Sequence, residues 1–189
     1  MHSFARGSVY LAVLLLTAAG AHADAYSDTE SLFRHAGASA AYFGSSYGYA
    51  VFPTIGKGGF FVGAAHGDGR VYVHGAYVGS TSMTQVSVGF QLGGQAYSEI
   101  LFFQDRNALE AFESGNFALS ADASAVAITA SASASAGTEG SGAAASGGEK
   151  DARTAGHYQN GIAIFTIAKG GLMYQAAVAG QKFSFKPAH

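Results

Sequence analysis

Two Lys-Gly-Gly triplets are the first residues whose type and spacing could do chemistry: Lys57-Gly58-Gly59 and Lys169-Gly170-Gly171. A phosphate loop needs two glycines separated by four residues, then Lys and Ser or Thr at the start of a helix. Here the lysine precedes the glycines and a strand-like run follows, so a nucleotide site is excluded. The histidines are not spaced as a metal pair on a helix or as a finger. His66 and His74 flank Asp68-Gly69, which reads as a turn, but they would sit offset along that hairpin. The chain has no cysteine, which excludes a disulfide scaffold, a thiolate zinc site and a thiol nucleophile. Glu99 is the only acid inside a strong strand run, Tyr97 to Leu101, and no second carboxylate is paired with it. It is expected to face outward or to sit at a barrel mouth. No enzyme, metal or cofactor is expected.

The basic residues are more suggestive. Lys57 and Lys169 occupy equivalent turn positions, Lys182 and Lys186 lie near the C-terminus, and Arg34 lies on a helical segment. With the aromatic side chains of Phe60 and Tyr174 close by, such an end would meet an anionic lipid surface. These seven residues are the candidate lipid-binding set. Composition agrees with a local patch and opposes a global one. Charged residues are 12% of the chain and the net charge is -2, so the basic surplus of a nucleic-acid binder is missing.

The elements that must position these residues begin with an address. Arg6, the apolar run Val9 to Ala19 and Ala21-His22-Ala23 read as a signal peptide over residues 1–23. Cleavage after Ala23 would leave 9 basic and 12 acidic residues, 9 − 12 = −3, in a periplasmic or secreted protein. Residues 24–189 then form a single domain. Ser27 to Phe43 reads as a helix, with Leu32, Ala36, Ala40 and Phe43 near one stripe. From Gly48 to Phe103 the period changes to two, with glycine pairs as punctuation, which predicts a meander of antiparallel strands. Asp105 caps a short helix over 105–114 that Gly115 ends. Residues 123–130 read as a further strand, and the Ala/Ser/Gly-rich stretch 131–156 as a mobile loop.

The chain also repeats itself. Residues 48–65 align with 161–177 across one gap at Pro53, each reading strand, Lys-Gly-Gly turn, strand. Two similar hairpins are expected as neighbours in one sheet. The fold class is α+β: an antiparallel, strongly curved sheet or partly closed barrel with a few short helices. Its core is expected to hold Val51, Phe52, Ile55, Val86, Val88, Phe90, Leu92, Ile100, Phe102, Ile164, Phe165 and Ile167.

Four blocks carry a family resemblance: Tyr47 to Pro53, Lys57 to Phe60, Gln85 to Ser98, and Gly170 to Met173. Together they resemble the SYLF lipid-binding domain family, also known as an actin-binding domain family, over about Leu32 to Lys186. The resemblance implies a non-enzymatic module that binds membrane lipids through a basic patch and an amphipathic N-terminal segment. That segment corresponds here to residues 27–43, where Arg34 is the only permanent positive charge. Anionic lipid is the expected partner. Actin is not, because an exported protein does not meet it. The alternatives are an envelope structural or protein-partner-binding module, and an integral outer-membrane β-barrel. Against the barrel, the strands read as six to nine residues, short of a span.

Overall fold

Alternating and apolar runs become eight strands: β1 (Gly48–Gly58), β2 (Val62–Val73), β3 (Ala76–Val88), β4 (Gln95–Phe103), β5 (Phe117–Ala118), β6 (Val126–Ile128), β7 (Ile162–Lys169) and β8 (Lys182–Pro187). A computed structural model gives the fold of residues 17–58, 62–88, 95–120, 123–128, 157–169 and 178–189, with the backbone alone at 17–24, 57–58, 62, 87–88 and 95. The strands form one sheet in the order β5-β8-β3-β2-β1-β4-β7-β6. Pairing is antiparallel except between β6 and β7. The sheet curls into a half-barrel, and with its helices the fold is α+β. The first strands of the two expected repeats, β1 and β7, are separated by β4, which pairs antiparallel with both, and they end within two residues of the same level. The return strand expected for the second repeat, residues 131–156 and the Gly93-Gly94 turn lie outside the described residues.

The centre of the sheet is buried on both faces. On the convex side α1 (Thr17–His35), α2 (Gly37–Ala40) and α3 (Tyr42–Ser45) pack Phe33, Ala36 and Tyr42 against Tyr49, Val51, Phe102 and Phe165. On the concave side α4 (Arg106–Glu113) lays Leu109 and Phe112 against Phe103 and Phe183. Asp105 caps α4 as expected, its carboxylate accepting from the Ala108 amide at 2.9 Å. Strands covered on both sides need continuous apolar runs, and Ile162 to Ile167 is buried at every position.

Curling so wide a sheet requires room on its inner face. Strand β2 supplies it: its inward residues are Ala65, Gly67, Gly69 and Val71. The Phe52 ring lies on Gly69, where an added Cβ would come within 2.6 Å of a ring carbon. Glycine at such a position lets another element approach closely and lets the strand bend.

Several sequence expectations are corrected. The chain does not turn at Asp68-Gly69; β2 continues through it, with Asp68 opposite Ser82 and Gly69 opposite Thr81. The hairpin turn is His74-Gly75, with φ of 48° and 82°, the double positive φ of a type I′ turn. The helix expected over 27–43 breaks at Ala36, whose φ of −81° and ψ of 119° are extended, and resumes as two single turns. Eight of the expected core residues are buried, but Val86 is 74% exposed. On β3 the inward residues are Thr81, Met83 and Gln85, so the neighbouring parity faces solvent. Val88, Phe90 and Leu92 have no described side chains. Strands β1, β2 and β3 run 11, 12 and 13 residues, longer than the six to nine read from the sequence.

Glu99 is also corrected: it faces the concave interior and is fully buried. Gln181, in the turn that leads into β8, donates from Nε2 to Glu99 Oε2 at 2.9 Å and to the Tyr97 hydroxyl at 3.2 Å. β8 and β4 are separated in the sheet by β3, β2 and β1, so this contact spans the hollow of the half-barrel. Burial pushes the Glu99 carboxyl up to about 8, and the bond from Gln181 opposes the rise only in part.

Two outcomes follow. Between the ordinary carboxylate pKa of 4.5 and about 8 the folded chain binds more protons at Glu99 than the unfolded chain does. The contribution of Glu99 is therefore fully present below 4.5, declines as pH rises and is lost above about 8. Urea unfolding at pH 5, 6.5 and 8.5 will show a loss of stability with pH that Glu99→Gln removes. Gly69→Ala will lower stability by about 1–3 kcal/mol through overpacking against Phe52, read as a lower urea midpoint with unchanged m.

Candidate functional site

Among the described residues, no helix covers the convex face of β2, β3 and β8. Its residues follow from strand parity: Ala64, His66, Asp68 and Arg70 on β2; Ser80, Ser82, Thr84 and Val86 on β3; Lys182, Ser184 and Lys186 on β8. Of these only Arg70 and Ser82 are partly buried, and the rest are exposed. Directly paired residues project to the same side of a sheet, so register assembles the surface row by row. One row reads Lys169, Ala96, Gly56, His66, Thr84, Lys182 across six strands. The next same-sided rows read Asp68, Ser82, Ser184 and then Arg70, Ser80, Lys186. Strand spacing puts Lys169 and Lys182 about 24 Å apart along the curved surface.

The basic side chains are held differently. Lys169 reaches over to donate to the Thr54 hydroxyl at 2.8 Å, which keeps its ammonium at the rim. Ser82 and Ser184 share a 2.7 Å hydroxyl bond between strands. Arg70 lies over the Tyr26 ring of α1, 4.2 Å from its centre, and 5.7 Å from the centre of the Tyr77 ring. His66 stands 3.8 Å from Asp68. Among the described residues the face thus carries Arg70, Lys182 and Lys186 against the single acid Asp68, with Lys169 at its far rim and hydroxyls between them.

The predicted site residues separate into groups. Lys57 ends β1 opposite Gln95, one residue from the level of Lys169 opposite Ala96. Both turn lysines therefore leave the same end of the sheet, and Lys182 joins them from β8. Lys186 lies four residues further along that strand. Arg34 is not part of this group. It pairs with Glu30 at 2.6 Å and lies 4.0 Å over the Phe43 ring, beside Tyr49, whose eight-residue distance from Lys57 spans about 26 Å of strand. Phe60 and Tyr174 lie outside the described residues.

Sequence reading missed His66, Arg70 and the hydroxyl rows. The available signal was the polar parity of His66-x-Asp68-x-Arg70 and Ser80-x-Ser82-x-Thr84, hidden when Asp68-Gly69 was taken as a turn. It also passed over Gly44-Ser45-Ser46-Tyr47-Gly48, which has nucleophile-elbow spacing. That segment leads from α3 into β1, the reverse of the strand-to-helix order an elbow needs. No group of three His, Cys, Asp or Glu residues among the described residues could hold a metal ion.

A family model described as "Ysc84: Las17-binding protein actin regulator" matches residues 84–187. No curated protein matches the chain. The matched residues include β8, with Lys182 and Lys186, and every member of the Tyr97–Glu99–Gln181 contact.

The stacking that fixes Arg70 is open to measurement. A double-mutant cycle with Tyr26→Leu and Arg70→Met will give a coupling of about 0.5–1 kcal/mol in urea unfolding, as expected for an exposed cation–π pair.

Proposed function

From the sequence match and the exposed basic face together, we propose that this chain, which belongs to the Ysc84 (SYLF) family, is an exported, non-enzymatic module that docks on anionic lipid. The observation that carries this reading is the placement of Arg70, Lys182 and Lys186 on one sheet surface that no described helix covers, with Lys169 at its far rim, in a chain whose net charge is -2. Overall charge would repel an anionic membrane, so attraction must come from a local patch. Basic residues near such a surface contribute about 1 kcal/mol each, screened beyond a Debye length. Four of them make a reversible, salt-sensitive association. The serine and threonine hydroxyls between them suit phosphate oxygens, to which they can donate.

The same surface argues against an integral barrel. A lipid-facing strand needs an apolar outer face, whereas β2, β3 and β8 present lysines, serines and an aspartate outward. Strand length, now 11 to 13 residues in β1 to β3, no longer opposes a span; the polarity does. Protein-partner binding is the second reading, favoured by the family description as an actin regulator. An acidic protein surface would be attracted by the same charges, but it would not require lipid.

Cosedimentation of residues 24–189 with vesicles of increasing phosphatidylglycerol content, at two salt concentrations, tests the proposal. Retention will rise with anionic lipid and fall with salt. Lys182→Glu with Lys186→Glu will weaken it by about tenfold or more, while Arg34→Ala will change it little. Retention that ignores lipid charge and the β8 lysines would sink the reading. Cosedimentation with actin filaments and no retention by vesicles would put the protein partner first.

A further inference from the structure

The buried contact around Glu99 is unusual in what it leaves unmet. Glu99 Oε1, Gln181 Oε1 and Thr166 Oγ1 are all buried without a hydrogen-bond partner. Thr166 is the residue directly opposite Glu99 on β7, and Phe52 is its neighbour on β1. The groups facing Glu99 from the elements around it are Tyr97 on its own strand, Thr166, Phe52, and Gln181 at the start of β8. Gln85 on β3 lines the same interior and holds the turn before β8, donating to the Ala179 carbonyl at 2.8 Å. Glu99 is the only buried Asp, Glu, Lys, Arg or His among the described residues, so no cation compensates a carboxylate there. A buried carboxylate without a cation is costly, and the neutral acid is the form the site suits.

Gln181 connects this site to the surface. From Gln181 into β8 the side chains alternate: Gln181 and Phe183 are buried, while Lys182, Ser184 and Lys186 are exposed. The inward contact and the outward lysines therefore belong to one short segment. Its entry turn carries a positive φ at Gly180 and is tied to the segment after β5 by the Leu119 amide donating to the Gln181 carbonyl at 2.9 Å. We propose that the Glu99–Gln181 contact is a proton-dependent tether: with Glu99 protonated it holds β8 across the half-barrel, and loss of that proton to solvent loosens the strand that presents Lys182 and Lys186. The consequence for lipid docking rests on the proposed function; the tether itself does not.

On ionisation the carboxylate would draw water toward the interior to replace its missing partners. The Gln181 turn is the element to give way, because β4 is held between β1 and β7 whereas β8, among the described strands, has β3 and the two-residue β5 beside it. The lysines would then lose their fixed register with Arg70 and Lys169.

Carbon-13 NMR of the full chain from pH 4 to 9.5 reads the Glu99 carboxyl and the Gln181 and β8 amides together. The expected result is a carboxyl midpoint well above the ordinary range, with the Gln181 side-chain and β8 amides shifting at the same midpoint. Gln181→Met will raise the carboxyl midpoint further, since it removes the donor that favours the charged form, and will uncouple the β8 amides from it. A purely structural glutamine would leave the midpoint unmoved. Binding to phosphatidylglycerol vesicles will fall roughly three- to tenfold between pH 6.5 and 9 in the wild type and stay level in Glu99→Gln. A carboxyl that titrates in the ordinary range, or β8 amides indifferent to it, would overturn the tether whether or not Glu99→Gln folds. If the NMR results hold and no vesicle binding occurs at any pH, the lipid reading fails and the tether stands.

Discussion

The half-barrel depends on β8 reaching across its own hollow. Among the described strands β8 pairs with β3 and β5 alone, yet its inward side chains touch the far side of the sheet. Phe183 lies 5.7 Å from Phe52 of β1 and 5.2 Å from Phe112 of α4, ring centre to ring centre. Gln181, two residues before it, meets Tyr97 and Glu99 of β4. Without these contacts the curl would be imposed by twist and glycine alone. With them the concave side has an aromatic filling at the α4 end and a polar brace toward the lysine end. The two have different physics. The aromatic cluster gains from burial whatever the pH, whereas the brace holds a carboxyl whose burial is costly once it is ionised. A fold with one pH-indifferent and one pH-dependent closure has a natural point of yielding.

The convex side solves a different problem. One long helix and two single turns cover β1, β4 and β7, and no described helix covers β2, β3 and β8. What separates covered from uncovered is readable in the residues. Val51, Phe102, Phe165 and Ile167 require a cap, while His66, Ser82, Thr84 and Lys182 do not. Tyr26 and Arg70 mark the border, where the helix flank meets the open face through a ring and a guanidinium. The break at Ala36 belongs to the same solution. Ala36 is fully buried, and the Ser39 hydroxyl donates to the Phe33 carbonyl at 2.6 Å, satisfying a group the interrupted helix leaves open. A straight helix from Ser27 to Phe43 would have carried Tyr42 and Phe43 away from Phe102, which both of their rings now meet.

Much of this was legible from pattern. Period two, the Asp105 cap, the apolar run of β7 and the curved α+β sheet follow from residue order, because each reflects a local rule. Parity was less so. Val86 was placed inside and Glu99 outside, and both are reversed, since in an alternating strand only the tertiary partner chooses the face. On β3 the inward positions are Thr81, Met83 and Gln85, less apolar than the outward Val86 suggests. For Glu99 the deciding partner is Gln181, distant in sequence and unremarkable by itself. Asp68-Gly69 misled for a related reason. The dipeptide is a strong turn signal where a strand must end, but here Gly69 is used for the bare surface beneath Phe52. His74-Gly75 makes the turn instead, with a histidine at positive φ that composition does not advertise.

The lysines illustrate how a surface can be half legible. Their number and their place in repeated turns suggested one end of a sheet, and the register of β1, β4 and β7 puts Lys57 and Lys169 there. Lys182 and Lys186 were included only as nearby charges. Their role depends on β8 pairing with β3, a contact between residues about a hundred positions apart, which no local rule supplies. That pairing brings Lys182 into line with His66 and Lys186 into line with Arg70, and so turns scattered cations into a surface. The strand that completes this surface is also the strand that braces the interior. The outer lysines and the inner contact are therefore neighbours along one stretch of chain, in which successive side chains serve opposite sides of the sheet.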